Sequence, residues 1–177
     1  MSTKRVLWRN LSVFFSIVTL TLLVGCDHNG DHNDDSNTSS LNGTISGTAT
    51  KGPVADAVVT AFSVNMGGGT KGDRIGTGQT DAQGDFNMPV GDYSGPALIE
   101  MTGGHYIDEA TGQEMDMLPG TVMTCNIPFM ESGSTFDGIQ ITPLTSMAQQ
   151  MAANMPGGMI EPNIDASHQV VGDFFDV

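Results

Sequence analysis

The sequence predicts a mainly β protein: a two-sheet sandwich of about seven strands over residues 42–141, followed by a short helical extension over 142–177. Three observations lead there. From Asn42 onward, short runs of alternating apolar residues recur about every eight to twelve positions. Gly, Pro and Asp punctuate those runs, and an apolar spacing of i, i+3, i+4 sets in only after Thr142.

The strands follow in order. "GTISGTAT", "ADAVVTAFSV", "RIGTGQT", "DFNMPV", "PALIEMT", "TVMTCNIP" and "TFDGIQIT" each alternate, and a weaker pair flanks "DEATGQ". In the second run Val58, Thr60 and Phe62 share one parity and Val59, Ala61 and Ser63 the other, so one face can be buried. Gly52-Pro53 makes a turn. Asp81-Ala82-Gln83-Gly84 closes a hairpin in which Gly84 takes positive φ and Asp81 accepts local backbone hydrogen bonds, after which Phe86 returns to the core.

These pieces carry a resemblance. "GTISGTATKGPVADAVVTAF" followed by "TGQTDAQGDFNMPVGDY" resembles the carboxypeptidase regulatory-like domain, a transthyretin-like (Ig-like) β-sandwich attached to many exported proteins. The likeness is close over residues 42–93 and looser to about Thr142. It implies the sandwich fold and no catalytic residues, since this domain accompanies catalytic domains and is not one.

Two helices follow. Thr142 suits an N-cap and Pro143 the first helical position, and Leu144, Met147, Ala148, Met151, Ala152 and Met155 then form one apolar stripe until Pro156-Gly157-Gly158 ends the helix. Packing into a core or an interface is the expected role of that stripe, because Met fills irregular gaps and adapts to partners. A second helix is expected from about Asn163, with Ile164, His168, Val171 and Phe175 on one face. Its end, "HQVVGDFFDV", sets large apolar side chains beside Asp173 and Asp176 with no Gly or Asn cap. Such an end implies a helix docked on the Met stripe or on a protein partner, or an incomplete domain within a longer chain.

Charge narrows the function. Twenty acids, all at or after Asp27, face six cations, of which Lys4, Arg5 and Arg9 lie in the first nine residues; residues 26–177 thus hold twenty acids and three cations, a formal −17. That excess repels phosphate backbones and sets nucleic-acid binding aside.

The N-terminus reads as an export signal over residues 1–25: a cationic start, the fifteen-residue uncharged run Leu11–Gly25, then Cys26 and polar residues. The run is short of the roughly 20 apolar residues a spanning helix needs. Leu23-Val24-Gly25-Cys26 resembles the lipobox of bacterial lipoproteins, which implies cleavage before Cys26 and a covalent lipid on its sulfur. Residues 26–41 would then be the lipidated cysteine and an acidic, disordered tether reaching about 20 Å. The implied setting is the bacterial cell envelope, with the membrane engaged through the lipid. Asp31, Asn33 and Asp35 mimic the start of a calcium loop, but Ser36 replaces its Gly and Asn42 its bidentate Glu, and a lipidated Cys26 is no ligand beside His28 and His32.

No nucleophile motif, phosphate loop or paired-cysteine site is present, and His105-Tyr106-Ile107-Asp108 does not supply a zinc peptidase's ligands. The expected protein is therefore not an enzyme but a lipid-anchored binding or assembly module. The alternative is metal binding: calcium at Asp108, Glu109, Glu114 and Asp116, or copper(I) at the methionines, including Met115, Met117 and the series Met147, Met151, Met155, Met159. An enzyme fragment ranks third. With Trp8 inside the signal, Tyr93 and Tyr106 make a poor platform for sugars. Cys125, the remaining thiol, is expected to be buried on its strand.

Overall fold

Gly43–Ala49 buries Ile45 and Ala49 while Thr44, Ser46 and Thr48 are partly exposed, which is the two-residue period of a strand with one covered face. It is β1 of a computed structural model that describes residues 42–176, all within Thr38–Val177, the second of two units in the chain. Residues 1–41, on which the expected signal, Cys26, His28, His32 and the expected tether fall, lie outside the described residues. The remaining elements are β2 (Val54–Ala55), β3 (Val58–Asn65), β4 (Thr70–Gln79), β5 (Asp85–Val90), β6 (Gly95–Thr102), β7 (His105–Ile107), β8 (Glu114–Asp116), β9 (Val122–Met130), β10 (Thr135–Ile141), α1 (Pro143–Asn154) and α2 (Glu161–Phe175). The protein is mainly β, with two sheets and two C-terminal helices.

The two sheets are unequal. Seven strands hydrogen-bond in the order β10-β1-β5-β4-β3-β6-β9, and three in the order β2-β7-β8. All pairings are antiparallel except β1 with β10, which run parallel with Thr44 opposite Thr135 and Ala49 opposite Ile141. Laid flat, six strand spacings would separate β10 from β9 by roughly 29 Å. Yet only residues 131–134 join them, a reach of at most about 19 Å. That link is a turn, with Ser134 N–H on the Glu131 carbonyl at 3.1 Å. The large sheet must therefore roll until its ends approach, and its halves face one another as continuous layers of a sandwich rather than as separate sheets.

Inside the roll Ile45, Val59, Met88, Ile99, Met101, Ile127 and Ile141 are fully or almost fully buried, with Phe86, Met123, Met130 and Cys125 beside them. Much of the methionine content is thus core filling. The turn before Phe86 forms as the sequence predicts: Asp81 Oδ1 accepts from the N–H groups of Gln83 (2.9 Å) and Asp85 (3.0 Å), and Gly84 has φ +79°.

The run "ADAVVTAFSV", read from sequence as one strand, is broken at Asp56. That residue takes φ +54°, a conformation Asp tolerates better than most residues. Thr80 holds the break, its carbonyl accepting from Asp56 N–H (3.2 Å) and its hydroxyl from Ala57 N–H (2.9 Å). Before the break the chain pairs with β7 in the small sheet; after it, the chain pairs with β4 and β6 in the large one.

The helices cover the outer face near β9. Thr142 caps α1 as predicted, in a reciprocal box with Thr145: Thr145 N–H donates to Thr142 Oγ1 (3.1 Å) and Thr142 N–H to Thr145 Oγ1 (2.8 Å). The same turn serves the sheet edge. Thr124 N–H donates to Ser146 Oγ (2.8 Å), and Thr145 Oγ1 donates to the Thr124 carbonyl (2.9 Å), so α1 side chains occupy ladder groups that a neighbouring strand would otherwise use. Val64, Leu98, Ala152, Met159 and Ile164, with Phe62 alongside, form a second core between helices and sheet. Asn126, opposite Leu98 and 2% exposed, has neither amide atom hydrogen-bonded among the described residues.

Candidate functional site: a groove between the helices

The apolar stripe expected on α1 is wide enough to have two uses. Its small residues, Ala148 and Ala152, face inward with Gln149 and allow a close approach to the sheet. Gln149 is held by Thr124 Oγ1, which donates to its Oε1 (3.2 Å), and its amide lies 3.2 Å from the Met159 sulfur. The large residues go the other way. Met147 is 50% exposed, on a stripe that reads from sequence as packing into a core or an interface.

On α2, Ile164 and Ser167 are buried, while Val170, Phe174 and Phe175 are exposed, Phe174 by 80%. Phe174 and Phe175 meet edge to face with centroids 4.9 Å apart. Together Met147, Met151, Val170, Val171, Phe174 and Phe175 line an open groove of about 310 Å³ without a charged side chain in its wall. A second cleft of about 240 Å³, bounded by Leu144, Ala148, His168 and Gly172, shares Val171 with it. His168 Nε2 is buried in the described residues without a partner, and burial holds this imidazole below its ordinary 6.5 despite the opposing charge of Asp165. The apolar helix end read from the sequence is present, with Phe174 and Phe175 beside Met147 and Met151, and Asp176 closes α2 in a left-handed cap where no Gly or Asn stands.

The acidic hairpin has a different layout from a cation cage. Asp108 Oδ1 accepts from Thr111 N–H (2.9 Å) and Thr111 Oγ1 (2.8 Å), which tightens the turn and holds the carboxyl below its usual range. Glu109 is exposed in the same turn. Glu114 and Asp116 lie on β8 opposite Ile107 and His105. His105 stands 3.8 Å from Asp56 and 3.9 Å from Glu114, beside a shallow cleft lined by Pro53, Tyr106 and Glu114. Among the described residues no three His, Cys, Asp or Glu side chains are grouped to hold a metal ion. Of the methionine pair, Met117 is buried while Met115 is 45% exposed. Tyr93 donates its hydroxyl to the Pro96 carbonyl and accepts from Val64 N–H (3.1 Å), and Tyr106 lies under Lys51 Nζ (4.8 Å from the ring centre). Cys125 is buried, and its thiol is pushed up to about 12 by desolvation.

A polar recess not anticipated from the sequence lies beside the second core. Lys71 and Glu100 pair there at 2.6 Å, with Thr124, Ser146, Gln149 and Gln150 around them. No sequence signal joins Lys71 to Glu100, because β3 separates their strands. Among the described residues no helix is long and apolar enough to cross a membrane.

No protein-family profile and no curated protein matches the chain. Among solved structures there is a likeness to a 9R-lipoxygenase from Cyanothece PCC8801, at 13% identity and a TM-score of 0.31, covering 57% of this chain and 16% of that one. The chain thus spans under a fifth of that protein, and a likeness this slight carries no argument about fold or activity.

Proposed function

We propose that the protein is a non-enzymatic lipoprotein of the bacterial cell envelope, anchored by a lipid on Cys26 and displaying its β-sandwich and helical pair as a binding or assembly module. The observation that carries this reading is the order of the first 26 residues: three cations, an uncharged run of fifteen, and Leu23-Val24-Gly25-Cys26 at its end. The acidic, Asn- and Ser-rich stretch that follows contains no apolar residue until Leu41, which suits a tether. Within the folded unit, the open apolar groove of α1 and α2 supports a role in contact with another molecule.

The proposed relationship of the sandwich is to the carboxypeptidase regulatory-like, transthyretin-like domains. It is supported by the hairpin at Asp81–Gly84, by Gly52 at φ +74° before Pro53, and by burial of Phe86.

Mass spectrometry of the membrane fraction tests the anchor. A mature chain beginning at Cys26 and carrying acyl groups is expected, and Cys26→Ser should stall processing or release the protein. A soluble product beginning at another residue would refute the reading.

A further inference from the structure

Resting on the module reading above, we infer that the groove between α1 and α2 binds a cationic amphipathic helix of another polypeptide. Its wall supplies the apolar half of the match. Met147 and Met151 stand one turn apart on α1, facing Val170, Phe174 and Phe175 on α2, and among the described residues Met147, Val170, Phe174 and Phe175 expose large side chains. Thioethers and an edge-to-face phenylalanine pair form a surface that adapts to side chains projecting at i, i+3, i+4 and i+7 from a partner helix.

Charge selects the partner's other half. The two helices carry Glu161, Asp165 and Asp173, with Asp176 at the C-cap of α2, and not one Lys or Arg. Asp173 and Asp176 flank the exposed phenylalanines at the C-terminal end of α2, where the helix dipole adds to their negative potential. A second copy docking groove to groove would bring the same acids towards one another, and neither helix carries a Lys or Arg to offset them. A segment with apolar residues on one face and Lys or Arg along its margins satisfies both features.

The test uses the full lipidated chain in nanodiscs of neutral phosphatidylcholine, with empty nanodiscs as the blank. The probe is a fluorescent synthetic helix with Leu at helical spacing on one face and Lys on the other. Saturable binding that weakens as salt rises is expected, together with at least a tenfold loss in Phe174→Ser, a substitution at a position exposed enough to leave the fold intact. Asp173→Asn with Asp176→Asn should flatten the salt dependence. A matched Leu/Glu helix should not bind. Absence of binding, equal binding of the Leu/Glu helix, or indifference to Phe174→Ser would overturn the inference. So would self-association that Phe174→Ser abolishes, which would assign the groove to a second copy. The lipid on Cys26 is read independently by mass, so a failed groove and a failed anchor are distinguishable.

Discussion

The backbone N–H of Met159 donates to the carbonyl of Gly69 across 2.8 Å, joining the loop between the helices to the hairpin loop between β3 and β4. The approach is so close that a Cβ on Gly69 would fall 2.0 Å from the Gly157 carbonyl oxygen and 2.4 Å from Met159 N. Gly69 also has φ +58°, in the left-handed region. The β3–β4 tip is thus a fastener for the helical pair.

Gly69→Ala should therefore destabilise the protein by at least about 2 kcal/mol, from backbone strain together with the clash. Gly67→Ala, two residues away with nothing within 4 Å of the new methyl, should be neutral within about 0.5 kcal/mol. Urea denaturation of both variants checks this, and equal midpoints would show that the fastener contributes nothing.

Asp81→Ala removes the acceptor for the Gln83 and Asp85 N–H groups and should lower stability by about 1 to 2 kcal/mol. Asp81→Asn keeps a side-chain oxygen and should recover part of that loss in the same measurement.

Alkaline pH should weaken the fold through Cys125. Its thiol is raised from 9.0 to about 12 by burial, so the folded state keeps the proton that the unfolded chain gives up. The stabilisation is complete below pH 9 and is lost progressively as pH rises towards 12. Unfolding free energies measured from pH 8 to 11 should fall more steeply for the natural chain than for Cys125→Ala.

His168 acts in the opposite direction. Burial lowers its pKa from the ordinary 6.5, so the unfolded chain takes up a proton first as the solution is acidified. Its contribution is present above pH 6.5 and disappears as pH falls through the depressed value. Melting curves between pH 7.5 and 5 should show a shallower acid slope for His168→Gln, and identical slopes would remove His168 from the acid response.

Much of this architecture is legible locally. The strand runs, the Asp81 turn, the Thr142 cap with Pro143 and the stop at Pro156 each depend on residues within a few positions of one another. What escapes the sequence depends on distant partners. Asp56 turns left-handed because Thr80 receives the chain there, and the rolling of the large sheet follows from where β9 and β10 end up. The α1 stripe illustrates the limit of periodicity: it marks Met147 and Ala148 alike as apolar, but only the presence of β9 and α2 separates the small residues, which go under, from the large ones, which remain outside. The groove's residues could be picked out in advance, with docking of the helix end on the Met stripe as one alternative, while the opening left between the two helices could not.

The parallel ladder between β1 and β10 has a bearing on how the chain reaches this state. Thr44 and Thr135, whose hydroxyls meet at 3.1 Å, are separated by 91 positions. Hairpins such as β3–β4 can form as soon as their own residues are free, and β1 can pair with β5 after about forty more. Its other ladder must wait until residue 141 has been made, and closure over so long a loop is slow. Until then one row of β1 backbone groups is open, the roll is incomplete and Ile141 has not joined the core. Gly47 lies so close to Ile139 that a Cβ would meet its carbonyl at 1.9 Å, so the finished pairing needs a residue without a side chain there. The tenth strand therefore acts as a clasp: the roll stays pliable until residues 135–141 come to lie beside β1, and only then locks.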